Sequence, residues 1–457
     1  MFQYDMLARS LASGNGFRWY DPADRARLAP YLRLDPAQVF LDPRGMLTTF
    51  RAPLYPALLS IVYSANGIND GRFFAARLAQ TLLGAMLAPL TYLVARLIPL
   101  RADASAGGEK GPPSGDAEMV PRLASWLVVA YPTLVLFPVA LATENLFFLL
   151  VLASVWALLQ VGQSRGSDCS ILFAAIAGIL LGLSALTRSV ILPFAGLAIL
   201  WIWFSLNRRL AAIAALLALI FTILPWIIRN SVVEHQLTGI ESSLGYNLYI
   251  GYHPESTGTF VFGPSLDLLS ISDDKQRDVT GTQMAIGFIR QDPWRFPALA
   301  INRLGYFFNL ELRAFTYFYV NDFFGFIPFP ALIAILLVLA LPFFLLSLSA
   351  AFGWSLLGNR PESALLLLLL VGYLLPHVLI LSEERFHLTL IPFIAIPAAA
   401  IWVRGFRALR DGGPWTVVLS FVIVVLLLAN WGFELAREAP TFLRMLGPGG
   451  NQLYLPY

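Results

Sequence analysis

Long apolar runs separated by short polar breaks dominate the chain. A bilayer core of about 30 Å takes roughly 20 apolar residues per helix. By that measure ten segments read as membrane spans: 73–97, 122–141, 143–160, 171–187, 189–206, 210–228, 328–350, 364–381, 388–403 and 415–433. The stretch 54–66 is apolar but short, and reads as interfacial or re-entrant. Two runs have to be divided. The run from Leu123 to Val161 is too long for one span and just long enough for two, with a turn near 138–145. The run from Ile171 to Leu206 contains Arg188, and a charge at the bilayer centre costs at least about 2.5 kcal/mol. A turn over 187–193 brings Arg188 to the surface.

Composition sharpens this picture. Hydrophobic residues make up 58% of the chain and charged residues 13%, against roughly 25% charged in an average soluble protein. Mean hydropathy is +0.69. A soluble globular enzyme is excluded, and an all-α polytopic membrane protein of about ten transmembrane helices is expected. Cys169 is the single cysteine, which excludes a disulfide framework and a Cys-based zinc site. The four histidines are too scattered for a metal motif. No cofactor is called for, although a divalent ion held by carboxylates stays open. A net charge of +3 fits arginines facing lipid headgroups better than it fits nucleic-acid binding.

Basic residues set the orientation. Arg96, Arg101, Lys110 and Arg122 flank one loop, and Arg165, Arg208, Arg209, Arg360, Arg404, Arg407 and Arg410 occupy alternate later ones. With ten spans all of these share one side, the cytoplasm. The chain then divides into a first extracytoplasmic loop with interfacial helices (1–72) and a transmembrane core (73–228) interrupted by a Gly/Pro/Ser-rich disordered cytoplasmic linker (102–118). A large extracytoplasmic loop (229–327), C-terminal transmembrane helices (328–433) and an extracytoplasmic tail (434–457) follow. An amphipathic helix near 282–312, with Arg290, Arg295, Arg303 and Arg313, is expected along the membrane surface. The polar residues 1–52 need a span ahead of them to reach the outer face, so a first helix is expected upstream of Met1.

Polar residues that apolar spans do not need gather on that outer face from distant parts of the sequence: Asp5, Arg51, Glu144, Arg188, Arg229, Asn230, Asn247, Glu383, Glu384, Arg385 and His387. Ionisable groups at a membrane edge are functional candidates. Each also has a plainer reading. Arg51 could serve as a headgroup-facing arginine, Arg188 as a turn marker, and Arg385 as the ion-pair partner of Glu383 or Glu384. Arg229 could cap the outer end of its span. Glu144, after the N-cap candidate Thr143, could simply favour the helix dipole. His387 has a structural alternative as well, and Asp5 reads more readily as a solvated helix residue. The stretch 245–258, with Tyr246, Asn247, Tyr249 and Tyr252, could stack on or hydrogen-bond a sugar, or form a turn-rich loop anchored by aromatics.

Seven pieces carry a resemblance: YDMLARSLASGNGF (4–17), FRAPLYPALL (50–59), ATENLFFLL (142–150), LGLSALTRSVILP (181–193), LPWIIRN (224–230), GYNLYIGYHPESTG (245–258) and EERFHLTLIP (383–392). In this order they resemble the type C (GT-C) membrane glycosyltransferases, in the branch of the dolichyl-phosphate-mannose protein O-mannosyltransferases and the lipid A aminoarabinose transferase. The resemblance implies a GT-C-like fold and inverting transfer of a sugar from a polyprenyl-phosphate carrier to a protein, lipid or glycan acceptor. It places Arg51, Arg188, Arg385, His387 and Arg229 toward the donor phosphate, Glu144 as an organising or second acid, and Tyr55, Tyr246 and Asn247 toward sugar or acceptor. The family's catalytic aspartate lies four residues before the tyrosine matched by Tyr4, immediately ahead of Met1, which leaves Asp5 as the nearest acid.

Such chemistry needs an acid or base at the acceptor and cations for the departing phosphate, which Arg pairs with bidentately. An outward-facing site favours a flipped lipid-linked donor over a cytoplasmic nucleotide sugar. Three other classes share parts of the pattern. They are an O-antigen-type ligase or polymerase, a transporter of a lipid-linked substrate, and a non-catalytic assembly protein. Transport is disfavoured because charge collects at one face and no repeat is visible.

Overall fold

A computed structural model of the chain describes residues 2–28, 42–101, 115–358, 360–411 and 413–455. The expected linker 102–118 lies outside the described residues as far as residue 114. The described residues are mostly helical. One short antiparallel pairing, Arg18–Trp19 with Met46–Leu47, ties the first loop together.

Among the described residues eight helices are long and apolar enough to cross a membrane: Arg72–Ala95, Glu144–Gln163, Ser167–Thr187, Arg209–Val233, Phe329–Leu356, Pro361–Leu379, Glu384–Arg404 and Pro414–Met445. Each coincides with one of the ten apolar segments. The other two segments are helical but differ from expectation. Segment 122–141 forms Glu118–Val129 and Pro132–Val139, bent by 54°. Pro132 has no N–H to donate and disfavours helix at the residue before it. Segment 189–206 opens with a 3₁₀ turn over Ser189–Ile191, leaving the 13-residue helix Leu192–Phe204. At 1.5 Å per residue that helix is about 20 Å long, short of a bilayer core of about 30 Å. Stretch 54–66 is the 13-residue helix Leu54–Asn66.

The chain forms two compact units. The first comprises Met1–Met86, Leu136–Arg303 and Leu367–Leu381. Its helices Ser167–Thr187 and Arg209–Val233 pack closely because both carry small residues at helical spacing. A Cβ on Gly178 would stand 2.2 Å from the Ala215 carbonyl oxygen, and one on Gly182 would stand 2.6 Å from Thr222 Cβ. Helix Phe2–Ala12 is buried on two sides. Met6 and Leu7 join Phe17, Trp19, Tyr20 and Phe50, while Ala8 joins Tyr55, Leu59 and Tyr63. This double contact fixes where Gln3, Tyr4 and Asp5 point.

The second unit comprises Leu87–Val135, Leu304–Leu366 and Ser382–Tyr457. Its central element is helix Ile391–Arg404, with Ala395, Ala398, Ala399 and Ala400 fully buried. Helix Phe329–Gly353 lies against it so closely that a Cβ on Gly353 would stand 1.8 Å from the Pro397 carbonyl oxygen. By contrast, Pro414–Met445 leaves Phe421, Val425 and Leu426 exposed, as a lipid-facing helix does.

Candidate functional site

The first unit assembles Arg51, Tyr55, Glu144 and Arg188 around helix Phe2–Ala12 and the start of helix Leu54–Asn66. Arg51 donates from Nε and Nη2 to the Gln3 Oε1 atom at 2.9 and 2.7 Å. Its guanidinium carbon lies 4.8 Å from the Phe50 ring centroid and 5.6 Å from that of Tyr4. These partners are uncharged. Among the described residues no carboxylate lies within ion-pair distance of Arg51, although the side chain is only partly buried.

Tyr4 meets Tyr55 edge-on at 5.4 Å. Tyr55, expected near the sugar, is fully buried, and its hydroxyl donates to Gln80 Oε1 at 2.6 Å. The same Gln80 oxygen accepts from Asn145 Nδ2 at 3.0 Å, and Gln80 Nε2 donates to the Pro138 and Ala140 carbonyls. Gln80 thereby joins Tyr55 to the turn that starts the next helix. There Glu144 Oε1 pairs with Arg188 Nη1 at 2.5 Å. Thr143 does not cap this helix as expected. Its hydroxyl donates instead to Glu144 Oε2 at 3.0 Å. Arg188 follows the last residue of helix Ser167–Thr187 in an extended conformation, the turn the sequence required.

Asp5 faces a different set of donors. It accepts from Arg9 Nε at 3.0 Å, from Arg72 Nε at 2.8 Å and Nη2 at 3.2 Å, and from the Tyr63 hydroxyl at 3.0 Å. Burial pushes its carboxyl up, but the hydrogen bonds from Arg72 and Arg9 outweigh this and hold it below its ordinary value. Arg9 reaches on to Asp24 at 2.6 Å. Burial wins at Asp24 and raises that carboxyl despite Arg9.

Arg229 does not cap its own helix, which continues to Val233. It donates to the Thr48 and Phe17 carbonyls and lies over Trp226 at 4.8 Å, holding the first loop. Tyr246 packs edge-on against Phe50 at 5.4 Å and donates its hydroxyl to the Ser265 carbonyl. Asn247 is half-buried on the same helix, Leu244–Tyr252. The amphipathic stretch near 282–312 is two helices, Asp274–Gln291 and Arg295–Phe307. Two of its arginines turn inward rather than toward lipid headgroups, because loop carbonyls offer acceptors there. Arg295 donates to the carbonyls of Tyr252, His253, Pro254 and Ser256. Arg303 is fully buried and donates to those of Gly251, Leu379 and Val378.

In the second unit Arg385 Nε pairs with Glu383 at 2.7 Å and its side chain is 49% exposed. His387 is fully buried. Its Nδ1 donates to the Phe307 carbonyl at 2.7 Å, its Nε2 lies 2.7 Å from Glu311 Oε1, and its ring stacks on Phe343. The Tyr131 hydroxyl also donates to Glu311. Glu384 and Glu434 accept from the backbone N–H groups of Arg313 and Leu310.

Sequence reasoning missed Gln80 and Arg72, and read Arg303 as lying along the membrane surface. Gln80 lies inside segment 73–97, read only for its apolar residues, and Arg72 lies at the end of the first loop just ahead of it; a buried polar residue at such a place is the signal that would have found them. Among the described residues no group of three His, Cys, Asp or Glu side chains is placed to hold a metal ion.

No protein-family model matches the chain, and no curated protein matches it in sequence. Among solved structures, the chain is similar to the oligosaccharyltransferase of Archaeoglobus fulgidus tethered with an acceptor peptide containing the NVT sequon. The TM-score is 0.47 and the identity 14%, over 100% of this chain and 51% of that one. It is also similar to ArnT from Cupriavidus metallidurans bound to undecaprenyl phosphate, with a TM-score of 0.38 and 12% identity over 89% of this chain and 73% of that one. The chain spans about half the length of the oligosaccharyltransferase. Likeness at this level assigns neither a substrate nor an activity.

Proposed function

We propose that the chain is an inverting glycosyltransferase of the type C kind, moving a sugar from a polyprenyl-phosphate carrier to an acceptor on the extracytoplasmic face of a membrane. The observation that carries this reading is Arg51. It is a partly exposed guanidinium held by an amide oxygen and two aromatic rings, with no carboxylate in ion-pair distance among the described residues. Holding a cation without neutralising it favours an anionic ligand. The Arg51 segment is also one of the seven pieces that resemble the family.

The reaction cleaves the bond between the sugar's anomeric carbon and the carrier phosphate, forms a bond from that carbon to an acceptor oxygen or nitrogen, and passes the proton the acceptor loses to the released phosphate. Charge grows on the leaving phosphate, and a cation already in place stabilises it. Arg51 supplies that cation. Glu144, paired with Arg188, acts as the organising acid. Tyr246, beside Phe50, lines the same neighbourhood. Asp5, with four donors on its two oxygens, is better suited to bracing the first loop than to accepting a proton. Tyr55, Arg229 and His387, whose polar groups are engaged within the protein, brace the structure in the same way. Arg385 remains a candidate phosphate contact of the second unit.

The test is sugar release from a radiolabelled polyprenyl-phosphate sugar by membranes carrying the full chain. Arg51→Ala is expected to lower the rate by about 10²-fold or more. Unchanged turnover in both Arg51→Ala and Arg385→Ala would remove the phosphate-binding role. Movement of labelled lipid with no bond cleavage would favour a transporter.

A further inference from the structure

Among the described residues Arg51 is held by a neutral group, and one residue supplies it. Its Nε and Nη2 converge on a single oxygen of Gln3, and Nη1 has no hydrogen-bond partner among the described residues. A guanidinium only donates, so the Gln3 atom facing it is the amide oxygen. The Tyr20 phenol lies beside the same amide. Tyr20 is buried, takes a left-handed φ of 57° and stacks on Trp19 at 4.8 Å. Trp19 in turn lies 5.5 Å from Phe50.

The contrast with the neighbouring arginines is informative. Arg9 and Arg72 share Asp5, Arg188 has Glu144, and Arg277 has Asp274. A carboxylate at position 3 would fit in place of the amide, since Glu is nearly isosteric with Gln, and it would neutralise Arg51 in the same way.

We infer that Gln3 is a positioning residue that orients Arg51 while leaving its charge available, and so sets the affinity of this site for the phosphate of a polyprenyl carrier. This rests on the donor-phosphate reading of Arg51 and extends it to a residue outside the recognised pieces. The neutral acceptor holds the Nε and Nη2 edge and leaves Nη1 for the ligand. A negative acceptor would hold the same edge and cancel the attraction.

The experiment measures binding of undecaprenyl phosphate, and of uncharged undecaprenol, to the full chain in nanodiscs by native mass spectrometry. Gln3→Glu is expected to weaken undecaprenyl phosphate binding by at least about tenfold, the scale of losing a charge-assisted contact. Undecaprenol binding should stay unchanged. A merely structural role for Gln3 would reduce both lipids together, and that result overturns the inference, as does undecaprenyl phosphate binding equal to that of the unaltered chain. Should Gln3→Glu not fold, Gln3→Met, which keeps the volume and removes the acceptor, is read by the same two lipids and the same rule. Arg51→Ala separates the two levels of the argument. If it leaves undecaprenyl phosphate binding intact, the donor-phosphate reading fails and this inference with it. If it abolishes binding while Gln3→Glu does not, only the role of Gln3 fails.

Discussion

Removing either partner of the Glu144–Arg188 pair is expected to be costly, but not equally so. The two side chains meet at 2.5 Å, with Glu144 7% exposed and Arg188 20% exposed. Arg188→Ala deprives a nearly buried carboxylate of its cation, and breaking a buried pair from this side costs about 3–5 kcal/mol. Glu144→Ala leaves a guanidinium that already reaches solvent and can turn further toward it, which lowers the cost to about 1–2 kcal/mol. The double variant strands no charge, so it should be no less stable than Arg188→Ala alone. That corresponds to a coupling of about 1–3 kcal/mol. The measurement is a double-mutant cycle on the full chain in lipid–detergent micelles, following detergent-induced unfolding by tryptophan fluorescence. Costs that add within about 0.5 kcal/mol, or a Glu144→Ala variant less stable than Arg188→Ala, would refute the assignment of Glu144 as the buried member of the pair.

Acid tolerance of the first loop should depend on Asp5. Its folded value lies below the ordinary 3.8, so its contribution is complete above that pH and is lost as pH falls through the lower folded value. Asp24, raised by burial, binds its proton more readily folded than unfolded, so acid above about pH 4 does not weaken the loop through it. Protease protection of residues 2–28 should therefore persist down to about pH 4 and be weakened at neutral pH by Asp5→Asn. Gly251→Ala would place a Cβ 2.0 Å from the Ile380 carbonyl oxygen and 3.2 Å from Arg303 Nη2. A loss of about 1–3 kcal/mol is expected, seen as an earlier unfolding transition. Gly178→Val should separate helices Ser167–Thr187 and Arg209–Val233, because even a Cβ stands 2.2 Å from Ala215. Loss of crosslinking between cysteines introduced on the two helices would register it.

Much of the helical plan was legible in the sequence because apolar length translates directly into span. All ten apolar segments are helices, and the turns at 138–145 and 187–193 fall where a single long run could not continue. What hydropathy could not show is how a segment ends. A proline at 132 bends one, and a 3₁₀ turn at Ser189 shortens another. The candidate site was legible in part for a different reason. Arg51, Glu144 and Arg188 are conspicuous because charge is scarce near apolar runs. Whether such a residue presents its charge or uses it within the protein depends on partners far away in sequence. Asp5 meets Arg72, Arg229 meets Thr48, and Arg303 meets Val378. None of those pairings has a local signature, so Arg303 read as a headgroup anchor although it is fully buried.

The clamp made by Arg303 has a bearing on how the chain is made. Two of its three acceptors belong to Val378 and Leu379, and Val378 lies 75 residues later in the chain. At translation rates of about 5–20 residues per second, the arginine emerges roughly 4–15 s before those carbonyls exist. During that interval the segment around Gly251 has to be held by water, lipid headgroups or an insertion factor. A ribosome arrested within this stretch should carry a nascent chain that proteases cut near Gly251, and moving the arrest point beyond Leu379 should abolish the cut.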